Sequence, residues 1–222
     1  MEYLNASLYR NILNEINNIY ENTKYEKSYG GLDFFRIKDM LDCFSYGQYE
    51  SKIWAVNSLN TIVEIMKAEG NAPDEYYVLG GWYGFLPLLL AEQGFKKPIK
   101  SIDLDPICKL LGERLIQKKN ISFITQDALT ILDDNNHNNR SKVLICTACE
   151  HINQQDLNNL LKKKNPDMLV CLQSNNYFDI NSHVNCHESL RDFLVSLPLE
   201  IIFSSQEKPW KDEYTRFMVI GK

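Results

Sequence analysis

The chain has 222 residues, 44% hydrophobic and 24% charged, so it is long enough to bury a full core. Its net charge of −5 supplies no broad positive field, so a basic nucleic-acid-binding protein, and DNA as a partner, are not expected. Its apolar runs are far shorter than a membrane span and no basic-then-apolar leader opens the sequence, so no membrane association is expected.

Six cysteines are spread along the chain, and they favour a reducing compartment. Cys146 and Cys171 lie within apolar, strand-like runs, where buried free thiols are common. Cys146-x-x-Cys149 is a close pair, but no second pair follows at metal-binding spacing. We therefore expect a reduced, cytoplasmic protein.

Residues 1–72 have helical periodicity and predict an N-terminal helical cap. The first helix is indicated by apolar residues at helical spacing: Leu4, Leu8, Ile12, Ile16 and Ile19. Gly30-Gly31 interrupts this pattern, and a short helix is expected near 34–44. After Ser45–Lys52 a longer helix follows, which Gly70 and Pro73 end.

Residues 73–222 alternate between strand and helix patterns and predict a second, α/β domain. Strands are expected near 76–80, 99–103, 121–125, 142–147, 167–173, 199–204 and 214–220. Helices are expected near 84–94, 106–118, 154–163 and 187–195, and Asp133–Asn139, with His137, reads as a polar loop. This alternation predicts a doubly wound, seven-stranded, mostly parallel sheet with helices on both faces.

The last two strands are predicted to run in opposite directions. Only the loop Ser204–Glu213, with Pro209 and Trp210, separates them, and this loop is too short for a crossover helix. The domain is therefore expected to end in a C-terminal antiparallel hairpin, which is unusual for a nicotinamide-binding domain.

A glycine-rich turn links the first strand of this domain to the helix that follows. It contains Gly80, Gly81, Trp82 and Gly84. Glycines let a ligand approach the backbone, and the helix N-terminus offers unpaired N–H groups. The second strand ends in Asp103, a carboxylate that can accept both hydroxyls of a ribose. The sequence thus predicts a nucleoside-binding site at the carboxyl edge of the sheet.

The stretch 76–222 resembles the class I S-adenosylmethionine-dependent methyltransferase family, with its Rossmann-like fold and closing hairpin. The resemblance implies S-adenosyl-L-methionine as cofactor, with Gly80 and Gly84 at the outer glycines of the family turn. Trp82 stands where that turn has its middle glycine, and Val78 where it has an acidic residue. These departures leave the amino-acid end of the cofactor without its usual partner.

The same resemblance assigns two further cofactor contacts, Asp103 and Asp127. Asp103 matches the acid that binds the ribose, and Asp127, after the third strand, matches the acid that bonds the adenine amino group. Gly81 and Cys149 are also expected at the cofactor. Lys52, near the start of the long helix, is a candidate partner for the cofactor carboxylate, with an exposed helix lysine as the alternative.

Beyond the fold, the chain is similar to a narrower group of small methyltransferase-like proteins, many of them in phages. The matching pieces are Gly47-Gln48-x-x-Ser51-Lys52-x-Trp54, Leu79-Gly80-Gly81-Trp82-Tyr83-Gly84, Cys149-Glu150-His151, Gln173-Ser174-Asn175-Asn176-Tyr177-Phe178 and His183-Val184-Asn185-Cys186. The resemblance names no substrate.

Two titratable residues, Glu150 and His151, follow the fourth strand of the α/β domain and are the candidate catalytic pair. Residues after strands four and five flank the methyl group in this fold, and titratable groups there are often tuned. One of the pair is expected to orient the acceptor or act as its base. The alternative is a helix cap in which Glu150 accepts backbone hydrogen bonds.

Polar residues after the fifth strand are the candidate acceptor-binding groups, and a residue of the N-terminal helices joins them. They are Asn175, Asn176, Tyr177, His183 and Gln48. His183-x-x-Cys186-His187 could form a metal site with Glu150 or His151, but Cys186 and His187 are expected to open the next helix. No metal is therefore expected.

The predicted function is methyl transfer from S-adenosylmethionine to an unidentified small molecule, RNA or protein side group. The chain lacks the Asn/Asp-Pro-Pro-aromatic signature of methylation on exocyclic base amines. Alternatives are transfer of the aminocarboxypropyl chain of the same cofactor, and a non-catalytic cofactor-binding module in a complex. The closing hairpin disfavours an NAD-linked dehydrogenase. The sequence indicates neither the acceptor nor the oligomeric state.

Overall fold

A computed structural model describes residues 6–25, 34–133, 142–208 and 214–222. Its centre is a seven-stranded sheet with the order β3-β2-β1-β4-β5-β7-β6. The strands are β1 (Glu75–Leu79), β2 (Ile99–Asp103), β3 (Ile121–Thr125), β4 (Lys142–Cys146), β5 (Leu169–Asn175), β6 (Ile201–Glu207) and β7 (Arg216–Gly221). Each predicted strand is present, within two residues at either end except for the later end of β6.

Strands β1 to β5 are parallel to one another, and β7 runs antiparallel between β5 and β6. β7 is buried along its whole length, whereas β6 is a largely exposed edge. The doubly wound, mostly parallel sheet with a reversed C-terminal hairpin is thus confirmed. The predicted loop residues Pro209 and Trp210 lie outside the described residues.

Seven α-helices are described: α1 (Ala6–Tyr25), α2 (Phe34–Cys43), α3 (Tyr46–Ala68), α4 (Phe85–Glu92), α5 (Pro106–Leu115), α6 (Gln154–Lys163) and α7 (Leu190–Ser196). The segment Ser45–Lys52 was expected before the long helix, but Tyr46–Lys52 forms the first two turns of α3. The helix begins here because the Ser45 hydroxyl caps it by accepting from the Gln48 N–H. Residues 187–189, expected in the last helix, precede α7, whose cap is Ser189.

Two apolar layers cover the two faces of the sheet. One contains α3, α4 and α5, with Leu59, Leu90 and Leu111 against β1 and β4. The other contains α6 and α7, with Leu160 and Phe193 on the opposite face. Alternate residues along β1 and β4 enter the two layers, as the period of a strand requires.

The helices before β1 are attached to this core. The Asn11 side chain of α1 donates to the Leu115 carbonyl of α5 over 3.0 Å. In α3, the Ser51 hydroxyl donates to Gln173 Oε1 of β5 over 3.0 Å, and the Gln173 amide donates back to the Ser51 carbonyl. The domain division at residues 72 and 73 stays a prediction.

Some sequence predictions fall outside the described residues: Leu4, Gly30-Gly31 and His137. Among the described helices, none combines the length and the apolar composition that a membrane span needs.

Candidate functional site

A cavity of about 570 Å³ opens at the carboxyl edge of the parallel strands. The turns after β1, β2, β3 and β4 border it, and α3 and β7 close one side. Its size lies within the range of small-molecule sites. It brings together these predicted site residues: Gln48, Lys52, Gly80, Gly81, Trp82, Asp103, Asp127, Glu150 and His151.

The turn after β1 contains residues with positive φ, a conformation that suits its glycines but not its tryptophan. Gly80 has a φ of 59°, which glycine tolerates, but Trp82 also has a positive φ, of 49°. At Gly81 a Cβ would lie 2.1 Å from the Ser101 Oγ, so the turn packs directly on β2. The Trp82 conformation is held by a hydrogen bond from its N–H to Asp103.

The carboxylate of Asp103 organises this turn and faces the cavity. Its Oδ2 accepts from the Trp82 N–H over 2.9 Å, and its Oδ1 accepts from the Asp105 N–H over 3.1 Å. Each oxygen keeps a second lone pair, so the group can accept two further hydrogen bonds from a diol. This arrangement suits the ribose contact predicted from the sequence.

Asp127 lies at the far end of the cavity, after β3, and it is exposed. One of its oxygens accepts from the Leu129 N–H over 2.9 Å and begins a short 3-10 turn. Beside it, the Leu104 side chain is 70% exposed at the cavity wall. An acid next to an exposed apolar side chain suits a flat base with an amino group at its edge.

Lys52 reaches the cavity from the second turn of α3, where its ammonium donates to the Gln48 Oε1. The pKa of Lys52 is lowered to about 8, mainly by burial and also by Arg216, while Cys43 and Glu150 oppose the shift. Val78, at the position of the expected acid, is also in the cavity wall. The cavity wall therefore has the cation of Lys52, and it has an apolar side chain where the family places an acid.

Glu150 is 3% exposed and forms the centre of a buried polar group after β4. Its Oε1 accepts from the Asn175 amide over 2.7 Å and pairs with the Arg216 Nη2 at 3.4 Å. The Arg216 Nη1 donates to the Thr147 carbonyl over 3.1 Å. Glu150 is therefore held by the ends of β5 and β7, and the alternative of a simple helix cap does not describe it.

His151 is exposed next to Glu150 and stands edge-to-face with His183 at 4.8 Å between ring centroids. Tyr177 neighbours His183 and stacks on Tyr214. These rings continue from the cavity mouth, although His183 and Tyr177 do not line the cavity itself.

The remaining predicted contacts lie away from the cavity. Cys149 is fully buried, with its thiol directed at the Cys146 carbonyl, so it offers no surface to a ligand there. Gly84 packs against Phe123. Asn175 supports Glu150, and Asn176 bonds the backbone of Thr215, so both fix the loop.

Arg216 and Leu104 line the cavity but did not emerge from the sequence patterns. Arg216 is the first residue of an antiparallel strand, so it lies at the same edge as the carboxyl ends of the parallel strands. The sequence did contain a signal for Arg216, because it is a single charged residue at the start of an apolar strand that was predicted to be antiparallel. Leu104, flanked by two acids, carried none.

Comparison with known proteins supports the fold. No protein-family model matches the sequence, and no curated protein matches it. A methyltransferase of Clostridium acetobutylicum that depends on S-adenosylmethionine is 14% identical with a TM-score of 0.56, over 85% of this chain and 98% of that one. MtNAS, solved as a mutant in complex with S-adenosylmethionine, is 12% identical with a TM-score of 0.55, over 96% and 72%.

A third solved structure is similar over nearly its whole length. It is the magnesium protoporphyrin IX methyltransferase of Synechocystis with bound S-adenosylmethionine, 15% identical with a TM-score of 0.51, over 92% of this chain and 90% of that one. At these identities the likeness concerns the fold alone. The chain thus has the Rossmann-like fold of class I S-adenosylmethionine-dependent methyltransferases.

Proposed function

We propose that this protein is an S-adenosylmethionine-dependent methyltransferase. One observation carries the proposal: the glycine turn, Asp103 and Asp127 border a single cavity at the carboxyl ends of β1, β2 and β3. In open α/β sheets ligands bind at this edge. From β3 to β1, these groups suit the adenine, the ribose and the methionine part of the cofactor. The closing hairpin makes a nicotinamide cofactor a poorer match.

The residues present fit this cofactor along its length. Asp127 and Leu104 would receive the adenine, Asp103 the ribose hydroxyls, and the Gly80 and Gly81 backbone the methionine part. Lys52 would pair with the cofactor carboxylate, and this contact would offset the absence of an acid at Val78. When bound, S-adenosylmethionine supplies an activated methyl group on a sulfonium.

Methyl transfer is an in-line displacement, so the chain contributes chiefly by holding two reactants close and aligned. Glu150 and His151 stand at the end of the cavity away from Asp127 along the sheet order, where we place the acceptor. The lone pair of the exposed His151 ring can receive a proton or a hydrogen bond from that acceptor. Glu150, fixed by Asn175 and Arg216, keeps this corner in one geometry.

The acceptor is proposed to be a small molecule, an RNA or a protein side group. The similarity to the phage-type group of small methyltransferase-like proteins is part of this proposal, resting on the motifs around Gly80, Glu150 and Asn175. We also propose a cytoplasmic location, because all six cysteines are free.

A second candidate function is transfer of the aminocarboxypropyl chain. MtNAS, which shares the fold, was also solved with MTA (methylthioadenosine) and tNA. Methyl transfer leaves S-adenosylhomocysteine, whereas aminocarboxypropyl transfer leaves methylthioadenosine. The product therefore distinguishes the two reactions.

The test is to incubate the protein with methyl-labelled S-adenosylmethionine and cell extract, and to identify both the labelled fraction and the cofactor product. We expect label in one acceptor class together with S-adenosylhomocysteine. The matched control is Asp103→Asn, which keeps the shape but weakens acceptance of the ribose hydroxyls and should lose most of the transfer. Methylthioadenosine as the product, or binding of cofactor with no transfer, would overturn the proposal.

A further inference from the structure

Three side chains at the acceptor end of the cavity offer metal-ligating atoms close together. They are Glu150, His151 and His183, and one ligand atom from each lies within 4.8 Å of the others. Two imidazoles and one carboxylate are the donor set of many three-ligand metal centres. The sequence separates His183 from the other two, and folding brings it back beside them.

The hydrogen bonds of the two histidines fix which ring nitrogen is left for a ligand. The His151 Nδ1 lies 3.1 Å from the Ser182 carbonyl oxygen, and the His183 Nδ1 lies 2.6 Å from the Tyr177 carbonyl oxygen. A carbonyl oxygen can only accept, so Nδ1 carries the proton in each ring and Nε2 keeps the lone pair. Metal-binding histidines are commonly oriented by this kind of backbone contact.

The carboxylate of Glu150 has one oxygen in use and one left over. Oε1 accepts from Asn175 and pairs with Arg216, whereas Oε2 is buried and has no hydrogen-bond partner among the described residues. A buried carboxylate oxygen without a partner is costly in a folded protein. Arg216 compensates the negative charge of this carboxylate through Oε1 but leaves Oε2 without a partner in the described part of the chain. A cation bound at the two histidines would give Oε2 a partner.

We propose that Glu150, His151 and His183 bind one divalent transition-metal ion of the kind that imidazole prefers, such as Zn²⁺. Two nitrogen donors disfavour Mg²⁺ and Ca²⁺, which take oxygen ligands. Three protein ligands leave a position open, as in metal sites that act on a substrate. Glu150 and His151 line the cavity, so the ion would lie at its edge.

This site specifies the acceptor class, a consequence that rests on the proposed function. A hydroxyl or thiol bound at the open position would be acidified by the cation and would lose its proton to solvent, because the His151 lone pair then holds the cation instead of acting as a base. The new bond forms between that oxygen or sulfur and the methyl carbon as the methyl–sulfonium bond breaks. The products are the methyl ether or thioether, S-adenosylhomocysteine and one proton.

The test is calorimetric titration of Zn²⁺ into untagged protein that has been treated with a chelator. We expect one ion per chain, and at least about 100-fold weaker binding in His151→Ala and in His183→Ala. Loss of a residue that only hydrogen-bonds to a metal ligand already weakens metal affinity by about 10–100-fold, so loss of a ligand should cost more. Titration with Co²⁺ should give a visible absorption band that both variants lose. Glu150 is left unchanged, since its removal would strand the buried charge of Arg216.

His187→Gln is the matched control. The two ring nitrogens of His187 already face the Ser174 and Ser196 hydroxyls at 3.2 and 3.1 Å, so it is no ligand and its loss should leave Zn²⁺ affinity unchanged. Circular dichroism establishes that each variant is folded. Absence of binding, or equal affinity in the His151 and His183 variants, overturns the metal site.

Cofactor binding by the metal-free protein separates this inference from the proposed function. The adenosine-contacting groups do not include the three ligands, so S-adenosylmethionine should bind without Zn²⁺. Cofactor binding without metal binding removes only the metal site. Metal binding without cofactor binding removes the methyltransferase proposal and leaves the site.

Discussion

The charge state of Lys52 decides how well it can hold a carboxylate. Its pKa is lowered to about 8, first by burial and then by Arg216, with Cys43 and Glu150 acting in the other direction. Below that pH the ammonium form can pair with an anion, and above it the amine cannot. Without the cofactor, the effect of pH on stability has the opposite sign to its effect on carboxylate binding. Between about pH 8 and pH 10.5 the unfolded chain binds more protons than the folded one, so the free energy of unfolding rises with pH.

We predict that affinity for S-adenosylmethionine falls by about tenfold between about pH 7 and about pH 9, because one pKa unit corresponds to tenfold. Lys52→Met should weaken binding by roughly 10–100-fold below pH 8, the value of a charge-assisted hydrogen bond. Calorimetry across this range measures both effects.

The cofactor has an α-amino group that titrates in the same range, so the pH profile needs its own reference. Lys52→Met keeps that ligand titration and removes only the protein contribution. Lys67→Met, at the exposed end of α3 and paired with Glu64, is the matched control and should bind as the unchanged protein does. A pH profile of equal steepness in Lys52→Met and the unchanged protein would contradict the assignment.

Single residues differed in how far the sequence could predict them. Asp103 and Asp127 were predictable because a carboxylate at or just past the carboxyl end of a parallel strand must lie at that edge of the sheet. The hydrogen bond from Trp82 to Asp103 was not, since it depends on a left-handed conformation that tryptophan rarely adopts. The burial of Cys149 depends on side-chain packing, which spacing does not encode.

At the scale of elements, the reversal of β7 is what completes the cavity. An antiparallel strand begins at the edge where its parallel neighbours end, and Arg216 is the residue at that beginning. The reversal was predictable from loop length, but the pairing of Arg216 with Glu150 required the three-dimensional register of β5 against β7. The start of α3 was missed by about two turns, because Gly47 lowers the helix propensity there.

The junction of β1 and α4 gives a prediction about stability. Gly84 has a φ of 89°, and a Cβ there would lie 2.5 Å from the Phe123 ring. Gly84→Ala therefore combines an unfavourable backbone with a steric overlap, and we expect a loss of at least about 2 kcal/mol in the free energy of unfolding. Urea unfolding measures it.

Gly47→Ala is the control for Gly84→Ala because it changes the same residue type without either penalty. Gly47 lies in the first turn of α3, and no atom lies within 4 Å of a Cβ added there. Alanine favours the helix over glycine by roughly 0.5–1 kcal/mol, so this variant should be slightly more stable. If both variants shift stability in the same direction, the explanation for Gly84 is wrong.

At the scale of the whole molecule, the sheet divides the proposed chemistry between its two halves. The strands β1, β2 and β3 carry the groups for the adenosine, while β4, β5 and β7 carry Glu150, Arg216 and their partners. Both halves are held by two apolar layers that include α3 to α7. Because binding would connect elements from β1 to β7, it should stabilise the entire fold.

We predict that S-adenosylmethionine at about 100 times its dissociation constant adds about 2.7 kcal/mol to the unfolding free energy. For a chain of this size, each kcal/mol raises the melting temperature by about 2–4 °C, so a shift of roughly 5–11 °C is expected. NAD has the same adenosine but no carboxylate for Lys52, so its shift should be smaller than that of S-adenosylmethionine. Asp103→Asn should retain its fold but show a much smaller shift with S-adenosylmethionine. An equal shift with NAD, or an undiminished shift in Asp103→Asn, would place the ligand elsewhere than on the carboxylate at the end of β2.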